Sequence, residues 1–194
     1  MSSYISFKYK IHFTFQILDC VGPLNPEVVQ STPWASDSPS SFGIPASNVL
    51  NLGEDYYPND TRNFWVADSQ SNNQEFTLTT EHQGFTLRLD ACSRMITGCQ
   101  IKNTGNGRHG WATKGFKVSG AKNENGPWQT LVEDDLVNTS GTESASLLNF
   151  TFDNPVQIKF LKFEVVSSWR NGAALQYFAA VPLSSKYINT TIDI

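Results

Sequence analysis

Apolar and polar positions alternate with a period of two along much of this chain. Ile5, Phe7, Tyr9, Ile11, Phe13, Phe15 and Ile17 are separated by Ser6, Lys8, Lys10, His12, Thr14 and Gln16. That spacing puts the apolar side chains on one face of a strand and differs from the continuous apolar run of a signal sequence. Further short strands are predicted at Glu27–Gln30, Phe64–Val66, Phe76–Thr79, Phe85–Asp90, Cys99–Lys102, Lys114–Ala121, Trp128–Val132 and Leu148–Phe152. Another spans Ile158–Val165, where the phase slips at Phe160–Leu161 and suggests a bulge. The last core strand is Ala174–Val181, and Asn48–Leu52 reads as one helical turn.

No segment keeps a helical period of 3.6 for long, and turn signals recur at short spacing. The pattern therefore predicts an all-β, antiparallel sandwich or jelly roll. Residues 1–26 read as an N-terminal strand extension, 27–183 as the sandwich and 184–194 as a tail. Thr32–Ala46 is a long Pro- and Ser-rich loop carrying Trp34 and Phe42.

Composition sharpens this picture. The chain has 194 residues, 13 Phe and 12% aromatics, enough for one ordinary β core. Charged residues make up 16% and the net charge is −4, which argues against general nucleic-acid binding. No stretch is long and apolar enough for a membrane-spanning helix. Asn-x-Ser/Thr sequons at Asn59, Asn138, Asn149 and Asn189 are common by chance in so Asn-rich a chain and do not fix the compartment. Of the three cysteines, Cys92 and Cys99 flank CSRMITGC and could close a hairpin disulfide, leaving Cys20 free or paired between chains; three reduced thiols are the alternative.

Charge is unevenly placed. No acidic residue occurs between Asp90 and Glu124, a stretch containing Arg94, Lys102, Arg108, Lys114, Lys117 and Lys122. Its centre, CQIKNTGNGRHGWATKGFKVSGAKNENGPW (Cys99 to Trp128), presents two strand-like runs joined by a basic, amide-rich, aromatic loop. Gly105–Gly110 has the G-x-G-x-x-G spacing, but a strand-like run follows where a dinucleotide site needs a helix. The glycines fit tight turns instead. His12, His82 and His109 stand at no metal-ligand spacing, and no nucleophile or metalloprotease motif is present. No catalytic residue is assigned. Trp65 and Trp128 fall inside strand patterns and read as core, whereas Trp34, Trp111 and Trp169 fall in loops beside Asn, Arg or Ser. Indoles beside planar amides and a guanidinium suit sugar binding, and also suit an anionic head group, a protein anchor or packing over the rim of a core.

These residues resemble the discoidin, or coagulation factor V/VIII type C, family. The resemblance runs from about Val28 to Val181, through Pro45–Leu50, Phe64-Trp65, Phe85–Asp90, Ile101–Thr104, Thr113–Val118, Gly126-Pro127-Trp128, Leu161-Lys162-Phe163 and Trp169–Gly172 leading into Ala174–Phe178. It implies an eight-stranded antiparallel jelly-roll β-sandwich, related to carbohydrate-binding modules. It implies a non-catalytic binder of glycans, anionic phospholipids or proteins, with ligand loops gathered at one end. Those loops would be Thr32–Pro45, Ala67–Gln74, Asn103–Thr113 and Ser168–Gly172. The ligand-binding residues it implies are Trp34, Asn103, Asn106, Arg108, His109, Trp111, Trp169, Arg170 and Asn171.

The sequence departs from the family in having no cysteine after Cys99, hence no end-to-end disulfide. Asn51-Leu52-Gly53 replaces the Asp-Gly-Asp-like calcium stretch, and Phe178 replaces a Glu. A calcium ion would have to draw oxygens from Asp55 or Asp60, so no metal or other cofactor is expected. The leading expectation is a glycan-binding or adhesion module. An anionic-lipid surface binder and a protein-interaction module, oligomeric or not, stay open beside it. Family resemblance points outside the cell, while the chain as given opens on a strand pattern.

Overall fold

A computed structural model describes residues 22–31, 46–52, 65–67, 83–104, 112–137, 145–169 and 173–184. Among these are ten strands: β1 (Glu27–Ser31), β2 (Trp65–Ala67), β3 (Gln83–Arg88), β4 (Arg94–Lys102), β5 (Gly115–Ala121), β6 (Gln129–Asp135), β7 (Leu147–Ile158), β8 (Phe160–Val165), β9 (Ala173–Leu175) and β10 (Tyr177–Pro182). A 3-10 turn at Ala46–Leu50 stands where one helical turn was expected. The expected strands at Phe76–Thr79 and Ile5–Ile17 lie outside the described residues.

The strands form a five-stranded sheet, β1-β3-β8-β5-β6, a three-stranded sheet, β10-β4-β7, and a two-stranded ribbon, β2-β9. All pairings are antiparallel. This is the jelly-roll sandwich that the alternating pattern requires. Alternate residues of each strand point inward, so Phe85 and Leu87, Phe116 and Val118, and Leu161, Phe163 and Val165 line the inner face of the large sheet. Ile96, Ile101 and Phe178 from the small sheet complete the core. Phe163 is its centre, with Phe85 stacked 5.3 Å away, Phe116 5.9 Å away and Phe178 of the opposite sheet at 5.4 Å.

Four expectations are revised. The strand expected at Cys99–Lys102 starts earlier, Arg94–Gly98 being the first half of β4; Ile96 is fully buried, and Gly98 faces the Phe150 carbonyl so closely that a side chain has no room. The Cys92–Cys99 disulfide does not form. Extended backbone separates the two residues by on the order of 20 Å, beyond any disulfide. Cys99 is a free thiol in the core, and Cys92 is disulfide-bonded to a partner outside the described residues. The phase slip at Phe160–Leu161 is not a bulge. The chain crosses between sheets there, Lys159 alone joining β7 to β8. Trp128 is outside the core: it is half-buried on the outer face of the large sheet, under the Lys162 ammonium at 4.7 Å.

Asp153-Asn154-Pro155 was expected to end a strand. These exposed residues instead bulge out of β7, opposite the register shift between Ile96 and Gly98. Proline is tolerated because β7 is an edge strand. At the N-terminal boundary, Leu24 packs against the core and the Gly22 carbonyl accepts a hydrogen bond from Arg94 Nη2, so residues 22–26 are tied to the sandwich.

Candidate functional site

Strand direction and register define two ends. Ser31, Gln83, Val165, Gly115 and Asp135 mark one end of the large sheet, and Lys102, Tyr177 and Leu147 mark the same end of the small one. Segments 32–45, 68–82, 105–111, 138–144 and 170–172 begin or finish there. The short connections 89–93, 122–128 and Lys159 belong to the opposite end. Of the expected ligand loops, Thr32–Pro45, Asn103–Thr113 and Ser168–Gly172 therefore have described flanks at one end, while Ala67–Gln74 runs into residues outside the described ones.

The rim beneath those loops is tightly built. Asn103 is 3% exposed; its Nδ2 donates to the Thr113 carbonyl (2.7 Å) and its Oδ1 accepts from the Thr104 amide (3.0 Å). One side chain thus ties together the two ends of the 104–112 connection, the local amide chemistry in which Asn excels. Thr113, fully buried, donates through Oγ1 to the Ala174 carbonyl at 3.0 Å. The Trp169 amide donates to the Ala112 carbonyl at 3.1 Å, and Ala112 also bridges Ala174. The Lys114 amide donates to the Ser167 carbonyl at 2.9 Å, and the Gly115 amide reaches Ser167 Oγ at 2.9 Å. A Cβ on Gly115 would stand 2.7 Å from that Oγ and 3.1 Å from Asp135 Oδ1, so glycine permits this close approach.

Of the nine ligand-binding residues expected, two lie among the described residues. Asn103 has both ends of its amide engaged within the chain, so it holds the loop rather than presenting a free amide. Trp169 is half-buried at the rim, with the Lys114 ammonium 5.2 Å from its ring centroid. That face is already occupied by a cation, an attraction of about 0.5–2 kcal/mol. Its Nε1 is buried with no hydrogen-bond partner. Trp34, Asn106, Arg108, His109, Trp111, Arg170 and Asn171 lie outside the described residues.

Two further buried atoms at this end also lack partners, Gln176 Nε2 and Gln83 Oε1. Gln176 is 4% exposed, between β9 and β10, and its backbone amide donates to the Lys102 carbonyl at 3.0 Å. A buried polar atom left without a partner costs about 1–3 kcal/mol, so these positions call for a ligand or an ordered water. Sequence reading noted Lys114 only as one of several cations and passed over Gln176. Its signal was a lone amide inside the apolar run Ala173–Phe178.

Among the described residues no three His, Cys, Asp or Glu side chains gather as a metal cluster, and no helix is long and apolar enough to cross a membrane. Phe178 is fully buried in the core, and Asp55 and Asp60 lie outside the described residues. Burial pushes the Cys99 thiol up to about 12, so it is a packing group and not a nucleophile.

No family model and no curated protein matches the chain by sequence. Solved structures match it by fold. A Clostridium perfringens module, CpGH89CBM32-5, in complex with GalNAc-β-1,3-galactose, aligns with a TM-score of 0.55 at 13% identity, over 81% of this chain and 94% of that one. The family 32 carbohydrate-binding module of Streptococcus pneumoniae EndoD aligns with a TM-score of 0.52 at 17% identity, over 83% of this chain and 97% of that one. A structure of allantoicase aligns with a TM-score of 0.55 at 9% identity, over 82% of this chain and 41% of that one. The chain therefore shares the jelly-roll β-sandwich fold of these structures.

Proposed function

We propose that this protein is a non-catalytic glycan-binding module, its ligand held by the loops at the open end of the sandwich. The observation that carries the proposal is the asymmetry of the connections: segments 32–45, 68–82, 105–111, 138–144 and 170–172 all begin or finish at that end, on a rim fixed by Asn103, Thr113 and Ser167. A rigid stand beneath polar, aromatic segments suits a hydroxyl-rich ligand, because little ordering of the stand remains to be done on binding. The likeness to modules solved with GalNAc-β-1,3-galactose and related sugars supports the same reading.

Within it, Arg108, Arg170 and His109 donate to oxygens, Asn106 and Asn171 bind hydroxyls through their amides, and Trp111 and Trp34 offer apolar faces to sugar C–H groups. Asn103 positions the loop. The test is a glycan array followed by titration of the best saccharide against Arg108→Ala and Trp111→Ala. Loss of binding in both is expected. Unchanged affinity in both rejects these residues as the site, and an array on which no saccharide is retained rejects the function.

A further inference from the structure

Where β4–β5 and β8–β9 meet at the open end, the polar groups left over are mainly donors. Trp169 Nε1 and Gln176 Nε2 are buried hydrogen-bond donors without acceptors. The Lys114 ammonium lies over the Trp169 ring and forms no ion pair among the described residues. A carboxylate stands nearby, Asp135, whose Oδ1 lies 3.1 Å from where a Cβ on Gly115 would stand. The backbone of Lys114 is held from both sides, its amide by the Ser167 carbonyl and its carbonyl by the Leu136 amide at 2.7 Å, so the root of the cation is fixed.

A neutral sugar hydroxyl brings one donor for every oxygen that accepts, so it matches this corner poorly. A sulfate ester or a carboxylate brings acceptors only, and charge-assisted bonds from an ammonium are the stronger kind. From this donor-rich corner we infer that the glycan bound at the open end is anionic, a sulfated or uronic-acid saccharide, and that Lys114 selects it. The inference rests on the glycan-binding reading and adds the ligand class and a specificity-determining residue. Trp169 has two roles, its face seating the Lys114 cation and its edge offering the N–H.

The experiment uses the full chain and four probes: a size-defined heparin oligosaccharide, its desulfated counterpart, an oligogalacturonate and a neutral galactan. Affinity for heparin or oligogalacturonate should exceed that for galactan and should fall as salt is raised. A preference for heparin over its desulfated form points to sulfate, and a preference for oligogalacturonate points to carboxylate. Lys114→Gln should weaken anionic binding about tenfold and leave galactan binding unchanged, and Lys114→Arg should restore it. Trp169→Phe keeps the ring under the cation but removes the N–H, and should weaken anionic binding about threefold to tenfold without abolishing it. Equal affinity for galactan and the anionic saccharides, indifferent to Lys114→Gln, overturns the inference while glycan binding stands. Binding to none of the four probes, with sedimentation on phosphatidylserine vesicles, overturns the inference and the glycan reading together.

Discussion

The two ends of the sandwich are built from similar residues and differ in how their chain segments are secured. At the closed end, three connections lace onto one another through backbone bonds: the Leu89 amide donates to the Lys159 carbonyl and the Lys159 amide to the Ala121 carbonyl, both at 2.9 Å. Gly126, with φ of 88°, closes the β5–β6 turn there. Arg94, 8% exposed, ties Asp90 at 3.4 Å to the Gly22 carbonyl. At the open end the same chemistry fixes only the roots of the loops, through Asn103, Thr113 and Ser167, and the chain beyond those roots is long. One end is fastened connection to connection; at the other only the roots are seen fastened. The buried atoms without partners Gln83 Oε1, Trp169 Nε1 and Gln176 Nε2 belong to the open end.

The comparison is broken most severely at Arg94. Arg94→Ala leaves the Asp90 carboxylate and the Gly22 carbonyl without their common partner, in a site only 9% and 18% exposed at the two charged side chains. Stability should fall by about 3 kcal/mol, read as a lower urea midpoint at unchanged slope. Glycan affinity per folded molecule should stay at the wild-type value. Loss of binding in a folded Arg94→Ala protein would show that the two ends are coupled and would end the division of labour drawn here.

Asn103→Ala should do the reverse. Removing one amide frees the buried Thr113 carbonyl and the Thr104 amide, at a cost of about 2 kcal/mol. That is less than Arg94→Ala, yet binding should drop because the 104–112 loop loses its root. Ser167→Ala is milder. The Gly115 amide loses Ser167 Oγ but keeps the Ser167 carbonyl at 3.1 Å, so about 0.5–1 kcal/mol should be lost and binding should weaken in proportion.

The contrast between Arg94 and Asn103 also explains what the sequence could and could not disclose. Period-two alternation located β3, β5 and β8 to within about two residues, because each buries one face in the sandwich. It failed at β4, where Arg94 and Gly98 interrupt the apolar pattern for tertiary reasons, a long-range hydrogen bond from Arg94 to the Gly22 carbonyl and a close backbone approach. It failed at β7, where a bulge carries Asp153, Asn154 and Pro155. The strand ends that flank 103–113 and 168–172 were legible, since glycines, amides and indoles cluster between them in sequence. Individual roles were not, because an Asn that ties a loop and an Asn that binds a hydroxyl are the same residue type. Only the partners of Asn103 decide which one it is.

The smallest effect belongs to Cys99, midway along β4 between the two ends and fully buried. Its thiol is pushed from 9.0 to about 12 by desolvation, so at pH 8 it carries no thiolate in the folded protein. Native protein should show no Cys99 reaction with a thiol reagent, and the same sample in urea should react. The sign of the pH effect follows. In the unfolded chain the thiol ionises near 9.0 and in the folded one near 12, so the folded state keeps its proton longer. Stability from this group is fully present below pH 9 and declines as pH rises towards 12. Subtracting the pH profile of Cys99→Ala from that of the wild type isolates the decline from other groups. A flat difference above pH 9, or labelling of Cys99 in the native state, would mean that the strands open at mid-length, and the rigid stand joining a fastened end to a receptive one would no longer describe this molecule.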